Sequence, residues 1–297
     1  MTVIDALEAG PLAEPVVTTR PITRRRRPLF IVSLAMLGVV AAVVVVVPFL
    51  PGYDPYGQDL SKALEFPFTD MRHILGTDPL GRDSLSRLAI AGQISLLIVI
   101  SVVAINFVIG VTLGLTAGYF GGAVDNVIMG VADVQLAMPF VLLLIALAAV
   151  LGPSTALMII MLGITFWVGY GRVARGLAMT LREREFVLAP LTQGAGSVWI
   201  IRKHLLPSVL PNLAVIASFD IGLVVIAQAS LDFLGLGVQP PTPSWGGMIS
   251  EGQKYMQIDP WLCLLPGFMM FLVIAGVQFL SQRFTSEGGP EVARIGK

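Results

Sequence analysis

The sequence predicts an all-α integral membrane protein: six transmembrane helices, an outer cap after the first, and a cytoplasmic helix between the fourth and the fifth. Three observations predict it. Of the 297 residues 55% are apolar and 13% charged, where ordinary soluble domains carry about 25% charge. The apolar residues arrive in long charge-free blocks, near the roughly 20 residues that a helix needs to cross a hydrocarbon core about 30 Å thick. Lysine and arginine are distributed unevenly among the stretches between those blocks. In lipid every backbone group must be satisfied within its own segment, so apolar runs of this length span as helices. Formal net charge is zero, which points to no nucleic-acid partner, and the single Cys263 excludes an internal disulfide and a multi-cysteine metal site.

The spans fall at about 29–49, 94–115, 127–151, 156–173, 209–231 and 261–280. The first, nearly pure valine and alanine from Val39 to Val47, is longer than the 7–15 residues of a signal-peptide core and lacks a small-x-small cleavage pattern. It is expected to remain as an uncleaved anchor. Orientation follows from the cationic residues. Fourteen lie in the N-terminal tail (Arg20, Arg24, Arg25, Arg26, Arg27), the fourth connection (Arg172, Arg175, Arg182, Arg184, Arg202, Lys203) and the C-terminal tail (Arg283, Arg294, Lys297). The opposite side holds five: Lys62, Arg72, Arg82, Arg87 and Lys254. Both termini and the fourth connection are therefore expected in the cytoplasm. The resulting map is a disordered basic tail over 1–28, the anchor over 29–49 and an extracytoplasmic cap over 50–91. A permease-like core over 92–282 contains an inner loop at 172–207, and a cytoplasmic tail covers 283–297. No internal repeat is visible.

Polar groups within the spans are few: Asn106, Asp133, Gln135, Asp220, Gln228 and Gln278. Asp133 lies near the inner end of its span, where water can reach it. Asp220 lies midway along the fifth span, where an unpaired anion facing lipid would cost several kcal/mol or more. It must face the bundle interior, a water-filled path or a partner chain, and path lining and internal hydrogen bonding are both open for Asp220 and Gln228. Gly110, Gly114 and Gly118 share one face of the second span and permit close approach of another helix, either as static packing or as a moving contact. Pro139 and Pro266, inside spans three and six, predict kinks.

The inner loop between Arg172 and Pro207 is too polar to insert. Leu191, Ala195, Val198 and Trp199 recur at helical spacing and predict one amphipathic helix, closed by Pro207. Such a helix either lies among lipid headgroups or docks a cytoplasmic partner.

Here a family resemblance becomes specific. Glu185-Phe186-Val187-Leu188-Ala189-Pro190-Leu191-Thr192-Gln193-Gly194, followed by Leu206-Pro207, resembles the EAA loop of bacterial ABC-importer permeases. Of the Glu-Ala-Ala triplet only Ala189 survives, with Leu188 and Pro190 beside it; Gly194, Leu206 and Pro207 stand at the expected spacing. Proline favours a first helical turn, so Pro190 leaves the boundary of the coupling helix open. Gly76-Thr77-Asp78-Pro79-Leu80-Gly81-Arg82-Asp83-Ser84-Leu85-Ser86-Arg87 is similar to a signature of the C-type permease subunits in dipeptide and oligopeptide importers. Gly235, Gly237, Pro240, Pro241, Ser244, Trp245 and Gly246 resemble the outer loop of the same subunits. The resemblance covers about residues 29–280. It departs from the family at Gln228 and Asp232, where glutamate and serine are usual, and at Ser281-Gln282, where a Gly-Asp pair is usual.

The resemblance implies the type I ABC-importer permease fold in a bacterial cytoplasmic membrane. It also implies partners: a second homologous permease, two ATPase subunits or one fused ATPase, an extracytoplasmic solute-binding protein, and the surrounding bilayer. ATP and Mg would be bound by the ATPase subunits, with no cofactor or metal in this chain. Substrates of the family include dipeptides, oligopeptides, glutathione, nickel chelates and haem-like ligands. From the residues themselves, Asp78, Arg82, Asp83 and Arg87 are expected to form an ion-pair network that holds the cap. Pro240, Pro241 and Pro243 stiffen the outer loop, and Trp245 suits the membrane interface. The cap either receives a binding protein or is merely rigid. No phosphate-binding G-x-x-x-x-G-K-[ST] loop occurs, and His73 and His204, the only histidines, lie in separate loops on opposite sides. Two other classes compete with the importer reading: an ion-coupled carrier using Asp133 or Asp220, and a polytopic membrane enzyme.

Overall fold

The computed structural model describes residues 27–287. The expectations for the N-terminal tail before Arg27 and for Arg294 and Lys297 lie outside the described residues. Among the described residues eleven α-helices run in the order α1 (Arg27–Ala41), α2 (Ser84–Phe120), α3 (Gly122–Ala137), α4 (Phe140–Leu151), α5 (Thr155–Gly163), α6 (Trp167–Leu181), α7 (Glu185–Thr192), α8 (Ser197–Ile200), α9 (Leu206–Phe233), α10 (Trp245–Gln253) and α11 (Trp261–Glu287). Among the described residues no strand is present. Five stretches are long and apolar enough to cross a membrane: Leu29–Phe49, Ser84–Phe120, Thr155–Leu181, Ser197–Phe233 and Trp261–Ser281. A sixth arises if α3 and α4 count as one broken span.

Three expectations about helix boundaries need correction. The continuous third span at 127–151 is instead broken by an 82° bend. Proline disfavours the helical conformation in the residue before it; Met138 is extended (φ −93°, ψ 129°) and ends α3, and Pro139 caps α4. The helix that carries the fifth span begins well ahead of residue 209, at Ser197, because α8 passes through a π-helical turn, Ile201–Leu205, directly into α9. Pro207 lies within this continuous run, at the junction where the π-helical turn gives way to α9, so it does not close the preceding helix. The last helix continues past residue 280 to Glu287 and runs unbroken through Pro266.

The most extensive packing is α2 on α6, followed by α1 on α11. The α2–α6 seam is made by the glycines singled out above. Gly110 faces Trp167, Tyr170 and Gly171; Gly114 faces Gly171 and Ala174; Gly118 faces Arg175 and Ala178. Each approach is too close to admit a Cβ without movement of the opposite helix, the arrangement by which helices associate without a hydrophobic drive from water.

Two main apolar clusters result. One gathers Val44, Leu88, Val99, Val102, Val225 and Trp245 with their neighbours, and joins α2, α9, α10 and α11. The other gathers Val111, Leu115, Ala174, Val187, Ile200 and Val209, and joins α2 and α6 to α7, α8 and α9.

Candidate functional site

Three groups of the predicted residues bear on function, beginning with the cap. The run from Gly76 to Arg87 folds as a knot of turns ahead of α2. Gly81 has φ +69°, and a side chain on it would collide with the backbone of Asp59; glycine alone takes that conformation without strain. The Thr77 hydroxyl donates to the Lys62 carbonyl and accepts from the Glu65 N–H (3.0 Å). Asp78 accepts from the N–H groups of Leu80 (2.8 Å) and Arg82 (3.0 Å).

The expected ion-pair network exists with one member exchanged. Arg82 Nε meets Asp78 Oδ2 at 2.6 Å and Arg87 Nε meets the same oxygen at 3.3 Å. Both guanidinium groups also reach Glu251 Oε2 on α10, at 3.4 and 3.0 Å. Asp83 stands apart from this network. Its Oδ2 accepts from the Ser86 N–H (2.7 Å) as the N-cap of α2, and its Oδ1 lies 3.2 Å from His73 Nδ1. Carboxylates are favoured at that position because the first N–H groups of a helix lack intrahelical partners. The outer ends of α2 and α10 are thus clasped by two buried arginines sharing two carboxylates.

Farther out, Asp70 accepts from Lys62 Nζ (2.8 Å) and from the Arg72 N–H (3.0 Å) and guanidinium. The Lys62 ammonium, first among these, holds the Asp70 carboxyl well below the usual carboxylate range, and bonds to Ser61 lower Asp59 likewise. A depressed native pKa stabilises the fold above the unfolded value of about 3.9 and is lost as pH falls below it. Acidification below about pH 4 is therefore expected to loosen this part of the cap. Hydrogen-exchange protection of the Ser61 and Arg72 amides, corrected for intrinsic rate, should fall in that window and stay flat above it.

The outer loop after α9 turns on Asp232. Its Oδ1 accepts from the Val238 N–H (2.8 Å) and its Oδ2 from Gln228 Nε2 (3.3 Å), and Gly237 packs directly on the carboxylate. The departures at Gln228 and Asp232 are thus bonded to each other, one helical turn apart. Gly235 has φ +74°, the Pro240–Pro241 peptide is cis, and the Ser244 hydroxyl caps α10 by accepting from the Gly247 N–H (3.0 Å).

The interfacial position expected for Trp245 is corrected. It is 1% exposed, its indole N–H donates to the Leu88 carbonyl and its backbone N–H to Ser95 Oγ, both at 3.2 Å. The ring lies over Gly92, and Gly246 lies against Ala229. A tryptophan buries well when its single donor finds a partner, and here a carbonyl of α2 supplies one.

In the spans, Asp220 is buried and accepts from the Tyr170 hydroxyl (3.0 Å). Asn106 approaches the same carboxylate, though its amide makes no hydrogen bond of ordinary geometry. Gln228 is buried as well. Both residues are enclosed by this chain's own helices. Asp133 is exposed and paired with Arg172 (2.7 Å). Gln135 ties α3 to α6 by accepting from the Trp167 indole N–H (2.8 Å).

The third group is the inner loop. The single amphipathic helix expected there is two helices, α7 and α8, set apart at Gly194, whose φ is +86°. Leu191 ends up on α7, Ala195 in the turn, and Val198 and Trp199 on α8. The boundary left open at Pro190 lies earlier: α7 begins at Glu185, after the extended Arg184, and Pro190 falls in its last turn. The helix ends almost at once, and the Pro190 carbonyl accepts from the Gln193 and Ala195 N–H groups (3.1 and 3.0 Å). Val187 is 2% exposed and anchors α7 to the bundle, whereas Leu188, Leu191, Val198 and Trp199 project outward at 43–68% exposure. The His204 ring stands 5.0 Å from Trp199 and 6.2 Å from Phe186, joining α7 to α8. Leu206 and Pro207 open α9.

Among the described residues no group of three or more His, Cys, Asp or Glu is placed to hold a metal ion. Paired polar groups inside the helices, a clasped outer cap and a two-helix inner elbow define a multi-pass membrane bundle of the importer-permease class. The family described as binding-protein-dependent transport system inner membrane component matches residues 110–286. The nickel transport system permease protein NikC of Escherichia coli K12 is 37% identical over 242 residues, covering 82% of this chain and 87% of that protein. The oligopeptide transport system permease protein OppC of Haemophilus influenzae is 34% identical, covering 84% and 81%. The dipeptide transport system permease protein DppC of Bacillus subtilis is 33% identical, covering 90% and 80%. A solved chain of the MetNI methionine ABC transporter in an inward-facing conformation shares the fold, with a TM-score of 0.52 at 19% identity over 66% of this chain and 93% of that one. The chain belongs to the binding-protein-dependent transport system inner membrane component family.

Proposed function

We propose that this permease is the C-type subunit of an importer of di- or oligopeptides or similar small solutes, driven by ATP hydrolysed on partner subunits. It forms the path with a second homologous permease and accepts solute from an extracytoplasmic binding protein. Mg-ATP is bound by two ATPase subunits or one fused ATPase, and both termini face the cytoplasm. The segments 1–28, 29–49, 50–91, 92–282 and 283–297 serve as tail, anchor, cap, core and tail, and the loop 172–207 docks the ATPase.

The observation that carries this reading is the elbow formed by α7 and α8. It holds Val187 inside the bundle while turning Leu188, Leu191, Val198 and Trp199 outward, next to the cationic Arg202 and Lys203. A helix lying flat on lipid needs one continuous apolar face, and the break at Gly194 divides that face in two. A protein cleft fits such a knob better than a headgroup layer does. The carrier reading has less support, since Asp133 is already paired with Arg172 and Asp220 already accepts from Tyr170.

Reconstitution tests the proposal. Liposomes containing this chain, its partner permease, ATPases and binding protein should take up a labelled dipeptide only with ATP. Trp199→Asp should lower uptake by about tenfold or more while the permease pair still assembles, since a buried anchor of an interface contributes about 2 kcal/mol or more. Uptake by the isolated chain on an ion gradient, lost in Asp220→Asn, would overturn it.

A further inference from the structure

The elbow is attached to the bundle at both ends. Toward α6 the connection is three residues, Arg182 to Arg184, held by Arg182 N–H to Ala178 O (2.9 Å), Arg184 N–H to Leu181 O (3.0 Å), and Val187 N–H to Arg184 O (2.9 Å). Toward α8 it is bonded as well, Gln193 and Ala195 N–H to Pro190 O (3.1 and 3.0 Å) and Gly194 N–H to Leu191 O (3.0 Å), and α7 packs on α8 and on the π-helical turn that leads into α9.

On the α6 side Arg182 does more than close the turn. Its Nη1 reaches back to the last turn of α2, donating to the Gly118 carbonyl (3.3 Å) and, at the limit of bonding distance, to the Tyr119 carbonyl (3.5 Å). Carbonyls at a helix C-terminus lack intrahelical donors and carry partial negative charge, so a guanidinium is held well there. Gly121, the C-cap of α2, leaves room for it; a Cβ there would stand 3.2 Å from Nη1. Beside it Arg175 on α6 makes a two-pronged pair with Asp125 in the first turn of α3, and Arg182 adds its own field at that carboxylate. Above this staple the glycine seam locks α6 to α2 for three turns, and α2 continues as one helix of 37 residues to the outer clasp.

We propose that Arg182 is a positioning residue for transport. It binds the turn ahead of α7 to the inner end of α2, so that movement of α7 reaches α2 through this staple in addition to reaching α8 and α9 by direct packing. The inference rests on the proposed role of α7 in docking the ATPase.

The test uses the whole reconstituted assembly with labelled alanyl-phenylalanine as the probe, and reads uptake per ATP hydrolysed together with co-purification of the ATPase. Arg182→Ala should reduce uptake per ATP about fivefold or more, the range of ordinary coupling energies between sites, while ATPase co-purification and ATP turnover persist. Arg182→Lys, which keeps a cation at the α2 carbonyls, should recover most of the loss. A second variant inserts two glycines between Glu183 and Arg184, which breaks the Arg184 N–H to Leu181 O bond and lengthens the turn while leaving Arg182 at the end of α6; the same uncoupling is expected. Wild-type uptake per ATP in either Arg182→Ala or the insertion variant overturns the proposal, as does an Arg182→Ala loss in which uptake, turnover and co-purification fall together and lysine restores none of it. Absence of ATP-driven dipeptide uptake in the wild-type assembly would overturn the peptide-importer reading, and this inference with it.

Discussion

Replacing Gly114 with leucine should prevent stable assembly of the inner half of the bundle. A side chain there meets the backbone of Gly171 and lies 2.8 Å from Ala174 Cβ, so α2 and α6 would have to separate along their whole seam. Overpacking a well-filled core costs about 1–3 kcal/mol and more where backbone rather than a flexible side chain stands in the way. Here backbone stands in the way, and the contacts of Gly110 and Gly118 in the adjacent turns would be lost with it. The loss should exceed the low end of the range several times over. The measurement is the midpoint of thermal aggregation of the detergent-solubilised chain, with Gly130→Leu as the comparison. Gly130 has nothing within 4 Å of a built Cβ, and its variant should stay within about 0.5 kcal/mol of wild type. Equal midpoints for the two variants would show that the seam does not hold the helices.

Arg87→Met is expected to open the outer clasp and to destabilise the chain by about 3–5 kcal/mol, the usual consequence of leaving a buried charge without its partner. Arg87 is 2% exposed and Asp78 is 6% exposed; without Arg87 both Asp78 and Glu251 depend on Arg82 alone. Glu251→Gln should matter less, because that side chain is 45% exposed and water can solvate what it leaves behind. The double variant Arg87→Met with Glu251→Gln should be less destabilised than the sum of the single variants, since the two groups are in contact. Strict additivity in a double-mutant cycle would place the stabilising role of Arg87 elsewhere.

Much of this was legible in the amino-acid order, and the exceptions have definite causes. The spans could be read because charge-free runs of that length have one way to satisfy their backbone in lipid. The glycine seam could be read because a four-residue spacing selects one helix face. Asp78, Arg82 and Arg87 were readable as a network because they are neighbours in the chain. Glu251 was not: it is one more polar residue in a polar loop, and nothing local marks it as the partner of arginines so distant in sequence. Asp83 was misassigned to that network because an acid just before an apolar run is equally an N-cap, and the cap prevailed.

At Trp245 the general preference of tryptophan for interfaces is overridden by an acceptor at the Leu88 carbonyl and by the small Gly92. At Met138-Pro139 the signal was present and was read too weakly. Proline restricts the residue before it, and an extended Met138 turns an expected kink into a break. At the inner loop, periodicity suggested one helix because Gly194 at the middle of the stripe was treated as an interruption rather than as an end.

The clasp has a consequence for how the protein is made. Arg87 and Glu251 are 164 residues apart in the chain, and synthesis delivers the N-terminal part first. The arginines of the cap are thus made with only Asp78 beside them and wait for their second carboxylate until α10 has been synthesised. Closure of the clasp is therefore a late event in biogenesis, and a nascent chain halted before Glu251 would carry two half-neutralised cations where the finished subunit has a closed ring.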